Sequence, residues 1–94
     1  MKYKRNEDIK TTLMPDGHVV LFNSKTEWAQ VLNPMGALVW EFCDGYTSVD
    51  DMTGEIASLL QIENAAILQN DINSLISEFL GLGLVCETAA GKPS

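Results

Sequence analysis

LNPMGALVWEFCDG, residues Leu32 to Gly45, holds a helix start, an apolar helix body and a helix stop in one short stretch. Asn33 suits the N-cap, because its side-chain oxygen can accept from the free amides of the first turn. Pro34 fits the first helical position, where its missing N–H is not needed and its fixed φ already matches a helix. Ala37, Leu38, Val39, Trp40, Phe42 and Cys43 spread apolar groups around most of the helix, so it must be buried on more than one side. Asp44-Gly45 reads as the stop, with Gly45 free to take the left-handed conformation. This helix is expected to be the hub for strands before it and helices after it.

Upstream of the hub, residues 1–8 are polar and mixed in charge, and read as a flexible arm. Ile9–Met14 has the β-branched and apolar content of a strand. Pro15-Asp16-Gly17 is a turn, since Pro fixes φ and Gly accepts a positive one. His18–Phe22 completes a hairpin, and Asn23-Ser24-Lys25 turns again. Glu27–Leu32 alternates, with Trp28, Gln30 and Leu32 on one face and Glu27, Ala29 and Val31 on the other. Pro34 starts a helix almost at once, which leaves this third strand as an edge.

Downstream, Tyr46-Thr47-Ser48 leads into a second helix capped by Thr47 or Ser48, with Asp50 and Asp51 at the positive end of its dipole. Val49, Met52, Ile56, Leu59 and Leu60 mark one face. Gly54 weakens the helix by up to ~1 kcal/mol relative to Ala, so it relies on packing. A third helix is expected from about Asn64 to Leu80, with a core stripe of Leu68, Ile72, Leu75 and Phe79 and a stop at Gly81 and Gly83. Leu84-Val85-Cys86 reads as a short strand, and residues 87–94 as a flexible tail. The fold class is α+β: a three-stranded antiparallel sheet followed by three helices, like a winged helix-turn-helix, with residues 9–86 as the domain.

The chain's 94 residues suit one domain with a modest core. No segment nears the ~20 apolar residues of a membrane span, and the N-terminus lacks the apolar run of a secretory signal. Cys43 and Cys86 read as reduced core thiols of a cytoplasmic protein. With the lone His18 they fall short of a metal site, and no cofactor is expected.

Charge excludes more than the net value of −7 suggests. The basic residues are Lys2, Lys4, Arg5, Lys10, Lys25 and Lys92, so Thr26 to Gly91 has no Lys or Arg against ten acidic residues. The third helix carries Asp71 and Glu78 without a cation, whereas DNA affinity depends on basic side chains that neutralise phosphates. Enzyme signatures are also missing: His18 sits by a hairpin turn, Asp50-Asp51 suits a helix dipole, and there is no HExxH, P-loop or dinucleotide-binding pattern. Binding of a protein or peptide remains. An edge strand offers unpaired backbone groups to an incoming segment, unless the domain's own helix or a second copy covers it.

LNPMGALVWEFCDG followed by TSVDDMTGEIASLL resembles the PqqD family, small peptide chaperones also called RiPP recognition elements, for ribosomally made and post-translationally modified peptides. Leu32-Asn33, Gly36-Ala37, Val39-Trp40-Glu41, Cys43-Asp44-Gly45, the Val49 to Ile56 helix and Gly83-Leu84-Val85 carry the likeness, which spans Ile9 to Cys86. The resemblance implies a three-stranded sheet joined to three helices and non-catalytic binding of a precursor's leader peptide, which adds as a strand to the third strand beside the third helix. It also implies a modifying enzyme as partner, a radical SAM enzyme or a leader peptidase and cyclase as in lasso-peptide pathways, with no nucleic acid and no membrane. The peptide-binding edge would then be Glu27, Trp28, Ala29, Gln30 and Val31. One flank of the third helix, Ile67, Asp71 and Ser74, is taken as the facing wall; the other would be Gln69, Ile76 and Leu80. Asp71 then either pairs with a basic leader residue or stays a solvated carboxylate. The alternative function is a winged-helix transcription-type or protein-interaction module, and a third is a piece permanently docked on a larger enzyme.

Overall fold

In the structure, a computed structural model that describes residues 2–88, the chain opens with a strand where the sequence suggests a loose arm. β1 (Lys2–Arg5) is the centre of a three-stranded antiparallel sheet whose edges are β5 (Asp44–Ser48) and β6 (Val85–Thr88). Its register pairs Lys4 with Asp44 on one side and with Cys86 on the other. Charged side chains do not prevent this, because ladder hydrogen bonds come from the backbone. Tyr3 lies against the core. The Arg5 side chain turns to the end of the hub helix α1 (Pro34–Phe42) and donates to Trp40 O at 2.9 Å and Glu41 O at 2.7 Å. Both carbonyls lie in the last turn, at the helix's negative end where a cation is favoured, and Trp40 O also accepts from the Cys43 amide at 3.1 Å.

The meander follows as β2 (Ile9–Leu13), β3 (Val19–Asn23) and β4 (Trp28–Leu32), in that spatial order. Gly17, at φ 90°, closes the first hairpin: its amide donates to Met14 O at 3.1 Å, and the Met14 amide donates to His18 O at 2.8 Å. This is a three-residue loop ending in a glycine bulge. The third strand begins at Trp28, one residue later than its alternation implies. Glu27 belongs to the preceding turn, with a positive φ of 54°.

α1 starts as its sequence dictates, with the Gly36 amide donating to Asn33 Oδ1 at 2.8 Å and Pro34 in the first turn. It ends at Phe42, and Gly45 takes its positive φ of 87° within β5, beyond the helix cap at Cys43. Asp44 organises that segment by accepting from the Tyr46 and Thr47 amides at 2.8 and 2.9 Å. Partial burial raises the pKa of its carboxyl, but these bonds outweigh that effect and hold it below the usual range. α2 (Val49–Leu60) is capped by Ser48 and α3 (Ala65–Gly81) by Asn64. The core lies between the helices and the inner sheet faces, around Trp40, Phe79, Leu21, Met52, Ile56 and Ile72. Cys43 is buried, as a core thiol should be, but Cys86 is exposed on β6. Of the expected tail, Glu87 and Thr88 belong to β6, and the rest lies outside the described residues.

Replacing Arg5 by Gln is expected to lower stability by about 1–2 kcal/mol, from the lost charged hydrogen bonds at the helix end. Urea denaturation of Arg5→Gln reads this directly; an unchanged midpoint would mean that the side-chain bonds to the end of α1 contribute nothing to stability.

Candidate functional site

β4 pairs with β3 on one side and has no described neighbour on the other. Backbone groups alternate in direction along an antiparallel strand. Counting from the Met14–His18 bond, Val20 and Phe22 address β2, so Val19, Leu21 and Asn23 address β4. Their partners Leu32, Gln30 and Trp28 are thereby engaged. The amides and carbonyls of Ala29 and Val31 are left pointing outward from the edge.

A groove of about 210 Å³ runs between this edge and α3. Gln30, Val31 and Leu32 form one wall, and Leu75, Glu78 and Phe79 of α3 form the other. Asn33 and Gly36 close the end where α1 begins. A Cβ on Gly36 would sit 3.3 Å from Asn33 Oδ1 and 3.4 Å from Leu32 Cβ, so a side chain there would press on the cap and narrow the groove. Val31 is 59% exposed at the open edge.

The residues singled out from sequence are only partly brought together here. Gln30 and Val31 line the groove; Trp28 and Ala29 lie along the same strand, Trp28 half-buried and Ala29 exposed; Glu27 is in the turn. Ile67, Asp71 and Ser74 form an exposed stripe on α3, but the groove wall lies nearer the helix's C-terminal end. Glu78 continues that stripe one turn beyond Ser74, about 16 Å along the helix from Ile67. The alternative flank is occupied, since Gln69 donates to Asp50 of α2, Ile76 is buried and Leu80 is half-buried. Leu75, Glu78 and Gly36 were missed. Extending the Asp71–Ser74 stripe by one turn would have found Glu78, whereas Gly36 needs the strand–helix approach to be known.

A second cavity, about 250 Å³, lies between the two sheets against Arg5, Trp40, Cys43 and Asp44. Burial pushes the Cys43 thiol up to about 12, with nearby Arg5 opposing and Asp44 adding to the rise. It is therefore a neutral thiol, not a thiolate nucleophile, at physiological pH. Among the described residues no group of three His, Cys, Asp or Glu is placed to hold a metal ion, and no helix is long and apolar enough to cross a membrane.

Residues 18–85 match the model of a family described as coenzyme PQQ synthesis protein D (PqqD). The match takes in most of the chain, and the protein belongs to the PqqD family. No curated protein matches the sequence. Among solved structures, TbiB1 in complex with the TbiA(beta) leader peptide is similar at a TM-score of 0.77 and 15% identity, over 92% of this chain and 98% of that one. Lasso peptide synthetase B1 complexed with the leader peptide is similar at 0.74 and 18% identity, over 92% and 99%. At these identities the likeness establishes the fold, in which this edge and groove are set.

The raised Cys43 pKa has two readouts. Unfolded Cys ionises near ~8.5 while the folded state keeps its proton, so this group lowers stability as pH climbs from about 9 towards 12. Near pH 8, iodoacetamide is expected to alkylate Cys86 alone in the folded protein and both thiols after denaturation, as read by mass spectrometry. Equal labelling of both in the folded state would contradict the burial of Cys43.

Proposed function

We propose that the protein is a non-catalytic adaptor that binds the leader region of a ribosomally made precursor peptide. The leader adds as an antiparallel strand to β4 and lies in the groove under α3, from which its core is presented to a modifying enzyme in the cytoplasm. The observation that carries this reading is the open β4 edge, with the outward groups of Ala29 and Val31 beside a groove walled by α3. Membership of the PqqD family supports it, as do two structures of the same fold that hold leader peptides.

Strand addition suits the residues present. Backbone pairing supplies affinity without demanding a particular leader sequence, and alternate leader side chains enter the groove to supply selectivity. Leu75 and Val31 offer an apolar seat, and Gly36 leaves the floor clear. About four ladder hydrogen bonds contribute ~0.5–1.5 kcal/mol each, and two apolar anchors ~1.5–3 each. The cost of ordering the peptide offsets part of this, which leaves an affinity in the micromolar range. Such binding holds a precursor and still releases it.

Chemistry then belongs to the partner, a radical SAM enzyme or a leader peptidase and cyclase. The acidic face of α3, with Asp71 and Glu78 and no cation, suits a peptide better than a phosphate backbone.

Calorimetry with the leader peptides of precursors encoded beside this protein tests the reading. One of them is expected to bind near 1 μM, and Val31→Pro to weaken it at least about tenfold with native circular dichroism, since an edge strand tolerates proline where its N–H faces outward. Absence of binding at ~100 μM for every such leader, or undiminished affinity in the folded Val31→Pro protein, would overturn it.

A further inference from the structure

The groove's wall carries a charge that nothing described in the protein neutralises. Glu78 lies in the last turn of α3, where the helix presents its negative end, and no basic residue shares that turn. The ion pairs among the described residues, Lys4–Glu7, His18–Asp16 and Lys25–Asp8, all lie in the first 25 residues and none reaches Glu78. Thr26 to Gly91 contains no Lys or Arg at all. Asp71, seven residues earlier on the same exposed stripe, extends the negative surface about 10 Å up the helix.

Apolar surface lies directly beside this charge. Half-buried Leu75 stands within one turn of Glu78 in the same wall, where Phe79 is fully buried. Along an added strand, every second side chain faces α3, at intervals of about 6.8 Å. Leu75 and Glu78 stand about 4.5 Å apart along the helix, and the length of the Glu78 side chain widens that reach. Two successive helix-facing side chains of the peptide therefore span the wall, one over Leu75 and one beside the carboxylate.

We propose that this groove selects an extended segment with an apolar residue and a Lys or Arg two positions apart, the apolar side chain seated on Leu75 and the cation paired with Glu78. The inference rests on the strand-addition reading and adds a charge requirement to it. Selectivity works in both directions: a cation gains a partner, while an Asp or Glu at that position meets Glu78 and the helix terminus with no counter-charge nearby. The arrangement thus rejects acidic segments as well as recruiting basic ones.

Phage selection of random twelve-residue peptides against the immobilised full chain tests this without knowledge of the natural leader. The recovered pool is expected to be rich in the apolar-x-Lys/Arg pattern, and selection against Glu78→Lys to shift that position to Asp or Glu. Lys suits a helix C-terminus, so this variant should fold, and circular dichroism checks that it does. A synthetic peptide from the first pool should lose about three- to tenfold in affinity when its Lys becomes Glu, with recovery on Glu78→Lys. Peptides that need the β4 edge, shown by loss on Val31→Pro, but that carry no basic preference would overturn the charge inference and leave strand addition standing. A pool that ignores Val31→Pro would overturn both.

Discussion

Trp40 is the contact on which the arrangement of elements depends. Its indole N–H donates to Thr11 Oγ1 of β2 at 3.1 Å, and its ring meets Phe79 of α3 edge-on, with centroids 5.8 Å apart and planes at 87°. Its carbonyl accepts from Arg5 of β1. One residue of α1 therefore fixes that helix against the meander, against α3 and against the terminal sheet. A buried indole needs a partner for its N–H, and an edge-on aromatic pair is worth about 0.5–1.5 kcal/mol beyond the area it buries. Because Phe79 also lines the groove, the same contact sets how far α3 stands from β4.

The start of α1 sets the other end of that space. Asn33 caps the helix immediately after Leu32, so β4 stops short and the chain turns away without covering its own edge. Gly36 keeps the helix start close to the strand. A stretch that reads as a scaffold in the sequence thus also bounds the groove. Its apolar residues hold the fold, and its two small or polar ones, Asn33 and Gly36, face the candidate site.

The meander, the three helices and the open third strand were legible because their signals are local: a Pro-Asp-Gly turn, an Asn-Pro cap and apolar spacing. The terminal sheet was not. Lys-Tyr-Lys-Arg has the composition of a solvated arm, and Asp-Gly-Tyr-Thr-Ser that of a turn. They become strands by pairing with each other and with Val85–Thr88 across about the whole chain, and backbone pairing leaves little trace in side-chain pattern. Helical projection gave the exposed flank of α3, and Gln69's bond to Asp50 shows what occupies the other. Which turn of that flank stands beside β4 depends on the crossing of strand and helix, so Glu78 and Leu75 came from the structure and Ile67 fell at the far end.

Amide hydrogen exchange at Ala29 and Val31, followed by NMR with and without a leader peptide at saturation, tests strand addition most directly. With strand addition, both amides exchange faster than those of Gln30 and Leu32 in the free protein and slow at least about tenfold in the complex, as edge donors gain partners. Unchanged exchange at Ala29 and Val31 in a peptide-bound protein would contradict it.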